Sequence, residues 1–240
     1  ENWKQLLPLP AEELYEASVS AHLQLAPVAD DINLKYIPGH EILAYEISKD
    51  IPLMVGSSAD EMGLFVPIAQ MGITEENLVE KVAEGMHVTP EKAARLVEAF
   101  KSADKKGNAP WHTYINIVSM ASFLGGGSFQ EAMAYAAQGG APVFHYLVEY
   151  DAPAPFGEGY DCAWHTADLP LQMRVVLHPE SESLSRQMAH AWAAFIRTGD
   201  PSTKELPWPA FTTDTRQVMV FDTQTRVETD PTAPYRNVDE

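Results

Sequence analysis

The chain has 240 residues, of which 45% are hydrophobic, 21% charged and 10% aromatic, a composition that indicates a folded protein rather than a disordered one. With 16 basic and 34 acidic side chains the net charge is −18. Nucleic acid and anionic membranes are therefore excluded as partners, because no basic surplus is available to neutralise phosphates. The single cysteine excludes a disulfide within the chain and slightly favours the cytoplasm without requiring it. No apolar run reaches the roughly 18 residues of a membrane span.

The predicted elements begin with a short helix at 14–23 and a second helix at 42–47. The apolar run at 51–56 ends in glycine and is followed by two serines, which is typical of a buried parallel strand and its C-terminal loop. Two adjacent acids, Asp60 and Glu61, lie in that loop.

The segment 72–140 predicts helices and no strand, and we interpret it as a cap-like insertion. Thr74 is predicted to cap one helix, and Thr89 followed by Pro90 to begin the next. Two further helices are predicted at 113–123 and 128–138. The glycine run at 125–127 between them is interpreted as a helix break, because a phosphate loop would need a preceding strand and a following lysine.

The clearest strand is 142–150, which is rich in aromatic and β-branched residues. A loop rich in proline and glycine follows at 151–160. A strongly amphipathic helix is predicted at 184–198, ending at Gly199, and a last strand at 217–221. Strands that separate the helices indicate an α/β fold and argue against a free-standing helical binding module.

The chemistry-bearing residues are an acid and a histidine that follow successive strands. No H-E-x-x-H, paired C-x-x-C or G-x-G-x-x-G motif occurs, so the sequence predicts neither a metal nor a dinucleotide site. No G-x-S-x-G occurs either, so the chain has no nucleophile elbow. Asp60 and Glu61 follow 51–56, whereas His165 follows 142–150. Acid before histidine is the triad order of α/β-hydrolases. By pattern alone, a structural role for His165 and the choice of Asp60 as the acid both remain open.

Four motifs resemble the carboxylesterase type B family, which contains the bacterial para-nitrobenzyl esterases and the cholinesterases. Asp60-Glu61-Met62 is similar to the family's Asp-Glu-Gly, with methionine in place of glycine. Trp164-His165-Thr166-Ala167-Asp168-Leu169-Pro170 is similar to its histidine motif. The segment 184–201, followed by Trp208-Pro209, resembles its closing helix and turn, and 25–31 resembles its Pro-Val-x-Asp-Gly, with Asp31 in place of glycine.

The resemblance implies that residues 1–240 are the C-terminal half of one α/β-hydrolase domain, an α/β fold with a partial central sheet and a helical cap insertion. The serine elbow and the oxyanion loop would lie in the N-terminal half, which is therefore an expected partner, together with a small-molecule ester. The implied reaction is carboxylic ester hydrolysis by an acyl-serine route, without metal or cofactor. The alternative is a non-catalytic adhesion or interaction member of the same fold. Retention of both Glu61 and His165 argues against that alternative.

The resemblance also implies a role for each site residue. Glu61 would orient His165, and His165 would act as general base and acid. We expect the Glu61 carboxylate and a ring nitrogen of His165 to lie roughly 2.6–3.2 Å apart. Leu64, Phe65 and Trp164 would face the substrate, although by type each is also an ordinary core residue.

The remaining candidates are expected to have no catalytic role. Asp168 is interpreted as a supporting acid beside the site. Cys162 is not expected to be a nucleophile, because no basic residue stands near it to lower its pKa. The other histidines are interpreted as surface or strand residues: His22, His40, His87, His112, His145, His178 and His190.

Overall fold

A computed structural model describes residues 3–23, 27–35, 46–154, 159–236 and 238. The chain divides into two compact units, Glu1–Ile37 and Pro38–Glu240. Most of the helix predicted at 42–47 lies outside the described residues, and its last two residues form a turn.

The first unit contains a 3₁₀ turn, Trp3–Gln5, and helix α1, Ala11–Ser20. Helix α1 begins three residues earlier than predicted, with two glutamates in its first turn, where acids complement the helix dipole. Further along, the Asp30 side chain accepts three backbone N–H bonds of 2.8–3.0 Å. Asp31 has a φ of 60°, the left-handed conformation for which glycine, the residue of the similar family motif, is the usual choice.

The second unit is built on a four-stranded sheet in the order β1-β2-β3-β4. The first three strands are parallel, and the fourth is antiparallel to β3. The strands are β1 Leu53–Ser58, β2 Val143–Val148, β3 Gln217–Phe221 and β4 Arg226–Thr229. The three predicted strands are confirmed, whereas β4, which is short and carries charged residues, was not predicted.

Strand β1 ends later than predicted. The prediction that it ends at Gly56 is wrong, because Ser57 and Ser58 pair with Leu147 and Val148 of β2. Two polar residues after an apolar run suggest a loop in the sequence. In the structure, their pairing with β2 keeps them in the strand.

Helices cover both faces of the sheet. Because side chains alternate along a strand, Phe144 and Val148 pack with helix α8, whereas Val143 and Leu147 pack on the opposite face with helix α6. Coverage on both faces explains why β2 is apolar along nearly its whole length. The helices of this unit within the described residues are α2 Ile68–Met71, α3 Leu78–Met86, α4 Pro90–Ala103, α5 Pro110–Ala121, α6 Gly125–Ala136, α7 Asp168–Gln172, α8 Glu182–Thr198 and α9 Ala233–Arg236.

The prediction that 72–140 is mostly helical and has no strand is confirmed. Helix α4 begins as predicted, with Thr89 Oγ1 accepting a bond from the backbone N–H of Lys92 at 3.3 Å. The prediction that Thr74 caps a helix is wrong. Helix α3 begins only at Leu78, because Asn77 closes a turn by accepting from the Thr74 N–H at 2.8 Å and donating to a backbone carbonyl.

The glycine run at 125–127 is not a helix break but the first turn of α6. A Cβ atom on Gly125 would lie 2.4 Å from the carbonyl oxygen of Ser119. The absence of side chains therefore lets the start of α6 pack against the end of α5. No helix among the described residues is long and apolar enough to cross a membrane.

Candidate active site

The acid loop and the histidine loop meet because they follow neighbouring parallel strands, whose C-terminal ends lie on the same edge of the sheet. After β1 the chain forms a 3₁₀ turn, Glu61–Leu64. The two loops are hydrogen-bonded to each other, since the Asp60 N–H donates to the Ala163 carbonyl at 3.0 Å.

Glu61 and His165 form a direct pair. Glu61 Oε2 lies 2.6 Å from His165 Nδ1, which confirms the predicted distance. The other carboxylate oxygen, Oε1, accepts from the Ser58 N–H at 2.7 Å, so both oxygens are held. Because a carboxylate oxygen accepts, Nδ1 carries the proton, and Nε2 of a neutral imidazole is left as an acceptor. Among the described residues Nε2 has no hydrogen-bond partner, and the His165 side chain is 32% exposed.

Asp60, the alternative acid, directs its carboxylate to other partners than His165. Its Oδ2 accepts from the Ala163 N–H and from His112 Nε2, both at 2.9 Å, and its Oδ1 accepts from the amide of Asn116. Asp60 is 1% exposed. The structure therefore brings Glu61 rather than Asp60 to the histidine.

The interpretation of His112 as a surface or strand residue is wrong: it is buried on helix α5, against Asp60. Its ring stacks on Trp111, which in turn stacks on Tyr160. Burial lowers the pKa of His112, but the hydrogen bond and charge of Asp60 outweigh burial, and the net shift of the pKa is upward.

The three residues predicted to face the substrate differ in exposure and in what they contact. Phe65 is 55% exposed, and its ring centroid lies 5.4 Å from that of His165. Leu64, half-buried, precedes it in the turn. Trp164 is half-buried, packs against the core beside α8 and donates from Nε1 to the Pro153 carbonyl at 2.9 Å.

Asp168 begins helix α7, and within the described structure its carboxylate is hydrogen-bonded to neither member of the pair. Its Oδ2 accepts from the Tyr146 hydroxyl at 3.3 Å and from Gln172 Nε2 at 2.7 Å. Burial, followed by the charge of Asp168, raises the pKa of Tyr146 well above its usual value. Asp168 is thus linked to strand β2 rather than to His165.

Cys162 is fully buried in the histidine loop. Burial, reinforced by nearby aspartates, raises the pKa of its thiol, which opposes formation of a nucleophilic thiolate. Its Sγ would lie 2.8 Å from a Cβ on Gly63. The position at which the turn leaves no room for a side chain is therefore Gly63 and not position 62. The side chain of Met62 packs on the core of the helical insertion.

Three side chains within the described ranges could ligate a metal together: Asp60, His112 and Asp151 place one ligand atom each within 4.8 Å of one another. However, Asp60 Oδ2 already accepts from two N–H groups, and Lys106 Nζ lies 4.0 Å from Asp151. Hydrogen bonds and an ammonium group account for this cluster without a cation.

A mainly parallel sheet covered by helices, with a carboxylate–histidine pair at the C-terminal ends of its parallel strands, defines part of an α/β-hydrolase. Comparison with known proteins gives the family: the chain belongs to the carboxylesterase family, whose model matches residues 3–237.

The relatives are longer proteins. The chain is 26% identical to a para-nitrobenzyl esterase of Bacillus subtilis (strain 168) over 224 residues, which are 88% of this chain and 42% of that protein. It is 28% identical to a phenmedipham hydrolase of Pseudarthrobacter oxydans, covering 92% of this chain and 45% of that protein. A solved carboxylesterase of Geobacillus stearothermophilus superposes with a TM-score of 0.71 and 28% identity, over 99% of this chain and 50% of that chain. The chain thus spans about half the length of the relatives it matches.

Proposed function

We propose that this chain supplies the acid and the histidine of a serine-esterase triad and that the protein to which it belongs hydrolyses carboxylic esters. The observation that carries the proposal is the 2.6 Å contact between Glu61 Oε2 and His165 Nδ1. The names of the relatives, a para-nitrobenzyl esterase and a phenmedipham hydrolase, support an ester or a related acyl compound as substrate.

The proposed chemistry uses both ring nitrogens of His165. Nε2 takes the proton of the serine hydroxyl as the serine attacks the ester carbonyl, and then gives it to the departing alcohol. Water then attacks the resulting acyl-serine. Nε2 takes a proton from this water and gives it to the serine oxygen as the acid is released. Glu61 keeps the proton on Nδ1 and stabilises the imidazolium that forms in each step. Leu64, Phe65 and Trp164 are proposed to contact the substrate, and Asp168 to support the histidine loop.

The serine and the oxyanion donors are proposed to come from an N-terminal half, because G-x-S-x-G does not occur in this sequence. Strand β1 supports such a partner. Among the described residues it pairs with β2 alone, and four of its six residues are only half-buried, whereas five of the six residues of β2 are buried. A further strand on the open edge of β1 would complete its hydrogen bonds and cover its apolar side chains.

The test is ester hydrolysis by the full-length protein. With para-nitrophenyl acetate we expect saturable turnover, and a loss of at least about a thousandfold in kcat for both His165→Ala and Glu61→Gln. Glu61→Gln keeps the shape of the side chain but removes its charge. His190→Ala, which alters an exposed histidine on α8, is the matched control and should leave kcat unchanged.

The second candidate function is a non-catalytic adhesion or interaction protein of the same fold. A well-folded full-length protein that hydrolyses no ester would favour it and contradict the proposal. The same conclusion would follow if the turnover observed were unaffected by His165→Ala.

A further inference from the structure

Helix α5 carries three polar side chains on one face, and all three contact the loop that holds Glu61. They are His112, Asn116 and Ser119, spaced i, i+4 and i+7, which places them in one row along the helix. The neighbouring positions Tyr114, Ile115 and Ile117 are buried among apolar residues. We call His112, Asn116 and Ser119 the polar row.

The polar row holds the residues on both sides of Glu61. His112 and Asn116 donate to the carboxylate of Asp60, the residue before Glu61. Ser119 Oγ accepts from the backbone N–H of Met62, the residue after it, at 3.0 Å. Ser119 is fully buried, so this N–H would have no water to replace a lost bond.

Asp60 also links the polar row to the histidine loop by hydrogen bonds. Its carboxylate accepts from the Ala163 N–H while its own N–H donates to the Ala163 carbonyl, two residues before His165. Through Asp60, one helix therefore fixes the relative position of two loops that are distant in sequence. A buried carboxylate with a missing donor would pay the desolvation cost of an unsatisfied charge, and the two loops would shift to relieve it.

Further contacts fix the orientation of the Asn116 and His112 side chains in the polar row. The Asn116 amide oxygen accepts from Asn108 Nδ2 at 3.5 Å, which directs the Asn116 amide nitrogen to Asp60. The groups that face His112 are Asp60, Asp151 and Lys106, and Trp111 stacks against its ring. Trp111 also stacks on Tyr160 at 4.4 Å, so the same helix contacts the chain that leads into the histidine loop.

From this geometry we propose that the polar row of α5 is a positioning device, which holds the acid and histidine loops so that Glu61 stays aligned with His165. These residues touch no reacting atom, and they act through Asp60 and the Met62 backbone. The kinetic consequence rests on the proposed function: loss of a row contact lowers kcat, because the general base is misaligned, and leaves KM nearly unchanged. A displacement of about 1 Å at such a site is enough for a roughly hundredfold loss of rate.

The experiment compares two substitutions of His112 in the full-length protein. His112→Leu removes the donor to Asp60, whereas His112→Gln offers an amide N–H at a similar reach. We expect kcat on para-nitrophenyl acetate to fall at least about tenfold in His112→Leu with KM little changed, and to recover largely in His112→Gln. His190→Leu on α8 is the matched control for loss of a histidine from a helix.

A second readout does not depend on turnover. The readout is the proton NMR spectrum of the full-length protein with isotope-labelled histidine. The proton between His165 Nδ1 and Glu61 should give a far-downfield resonance in the wild type and in His112→Gln. It should be lost or displaced in His112→Leu. If the wild type hydrolyses no ester, the proposed function fails, and this resonance alone decides the positioning proposal.

Ser119→Ala covers the case in which His112→Leu does not fold, because it removes only one hydroxyl. It too should lower kcat and displace the resonance. The positioning proposal is overturned if the folded His112→Leu or Ser119→Ala protein keeps the wild-type kcat and resonance. It is equally overturned if His112→Gln is as impaired as His112→Leu, since the hydrogen bond would then not be the cause.

Discussion

The imidazole of His145 lies in the central strand β2 and is 2% exposed, with no hydrogen-bond partner for Nδ1 within the described structure. Its other nitrogen is 3.4 Å from Ser128 Oγ, and aromatic rings of Phe129 and Phe211 lie against it. Burial, followed by the positive charge of Arg236, lowers its pKa from 6.5 to about 4. His145 is therefore neutral in the folded protein at neutral pH.

This burial predicts acid sensitivity. As pH falls below 6.5 the unfolded chain gains a proton that the folded chain does not take up until near pH 4, so stability is lost as the pH falls. Between pH 7 and pH 5 the loss attributable to this one group is about 2 kcal/mol. Urea unfolding of wild type and His145→Leu at the two pH values measures it. The free energy of unfolding should fall less in the variant by that amount, and an equal fall in both proteins would contradict the prediction.

At the scale of elements, the effect of a glycine-to-alanine substitution on stability should depend on its position where α6 packs against α5. A Cβ on Gly125 would lie 2.4 Å from the Ser119 carbonyl, whereas a Cβ on Gly127 meets nothing within 4 Å. Gly125→Ala should therefore destabilise the protein by about 1–3 kcal/mol, because the two helices must separate. Gly127→Ala should stabilise it by about 0.5–1 kcal/mol, because alanine favours the helix.

The two alanine variants are controls for each other, since both add one methyl group to the same helical turn. Thermal or urea unfolding gives the sign of each change. A similar effect at both positions would show that the packing of α6 on α5 does not require Gly125. The comparison also bears on the polar row, because Ser119 belongs both to that row and to this junction.

At the scale of the whole molecule, we expect the 240-residue chain by itself to hydrolyse no ester above background in a histidine-dependent manner. A histidine and a glutamate without a nucleophilic serine held against the imidazole, and without oxyanion donors, form at best a weak base for water. Within the described structure one edge of β1 has no partner strand, and this edge with the apolar side chains beside it should also make the isolated chain self-associate. If the proposed N-terminal half exists, co-expression with it should restore both solubility and turnover.

The measurement is para-nitrophenyl acetate hydrolysis by the purified chain, its His165→Ala variant and the complemented pair, together with the size of each in solution. Saturable turnover by the chain alone that disappears in His165→Ala would mean that a nucleophile lies within these 240 residues. A monodisperse isolated chain would show that the open edge of β1 is covered in some other way.

The sequence by itself determined those features that a few neighbouring residues indicate. The aromatic and β-branched residues of β2 predicted a strand, Thr89-Pro90 predicted the start of α4, and Gly199 the end of α8. The loop motifs around Glu61 and His165 identified the pair and, through the family resemblance, its geometry. Each of these signals is contained in a few consecutive residues, which is why no knowledge of the fold was needed to read them.

Only the tertiary structure decided the features that depend on partners distant in the sequence. Ser57 and Ser58 extend β1 because β2 supplies their hydrogen bonds, and the glycine run at 125–127 is helical because α5 packs against it. The polar row went unpredicted even though its spacing was visible, since nothing in the sequence shows that α5 lies beside the acid loop. His112 and Asp60 are 52 residues apart, and only the folded chain brings a donor to that buried carboxylate.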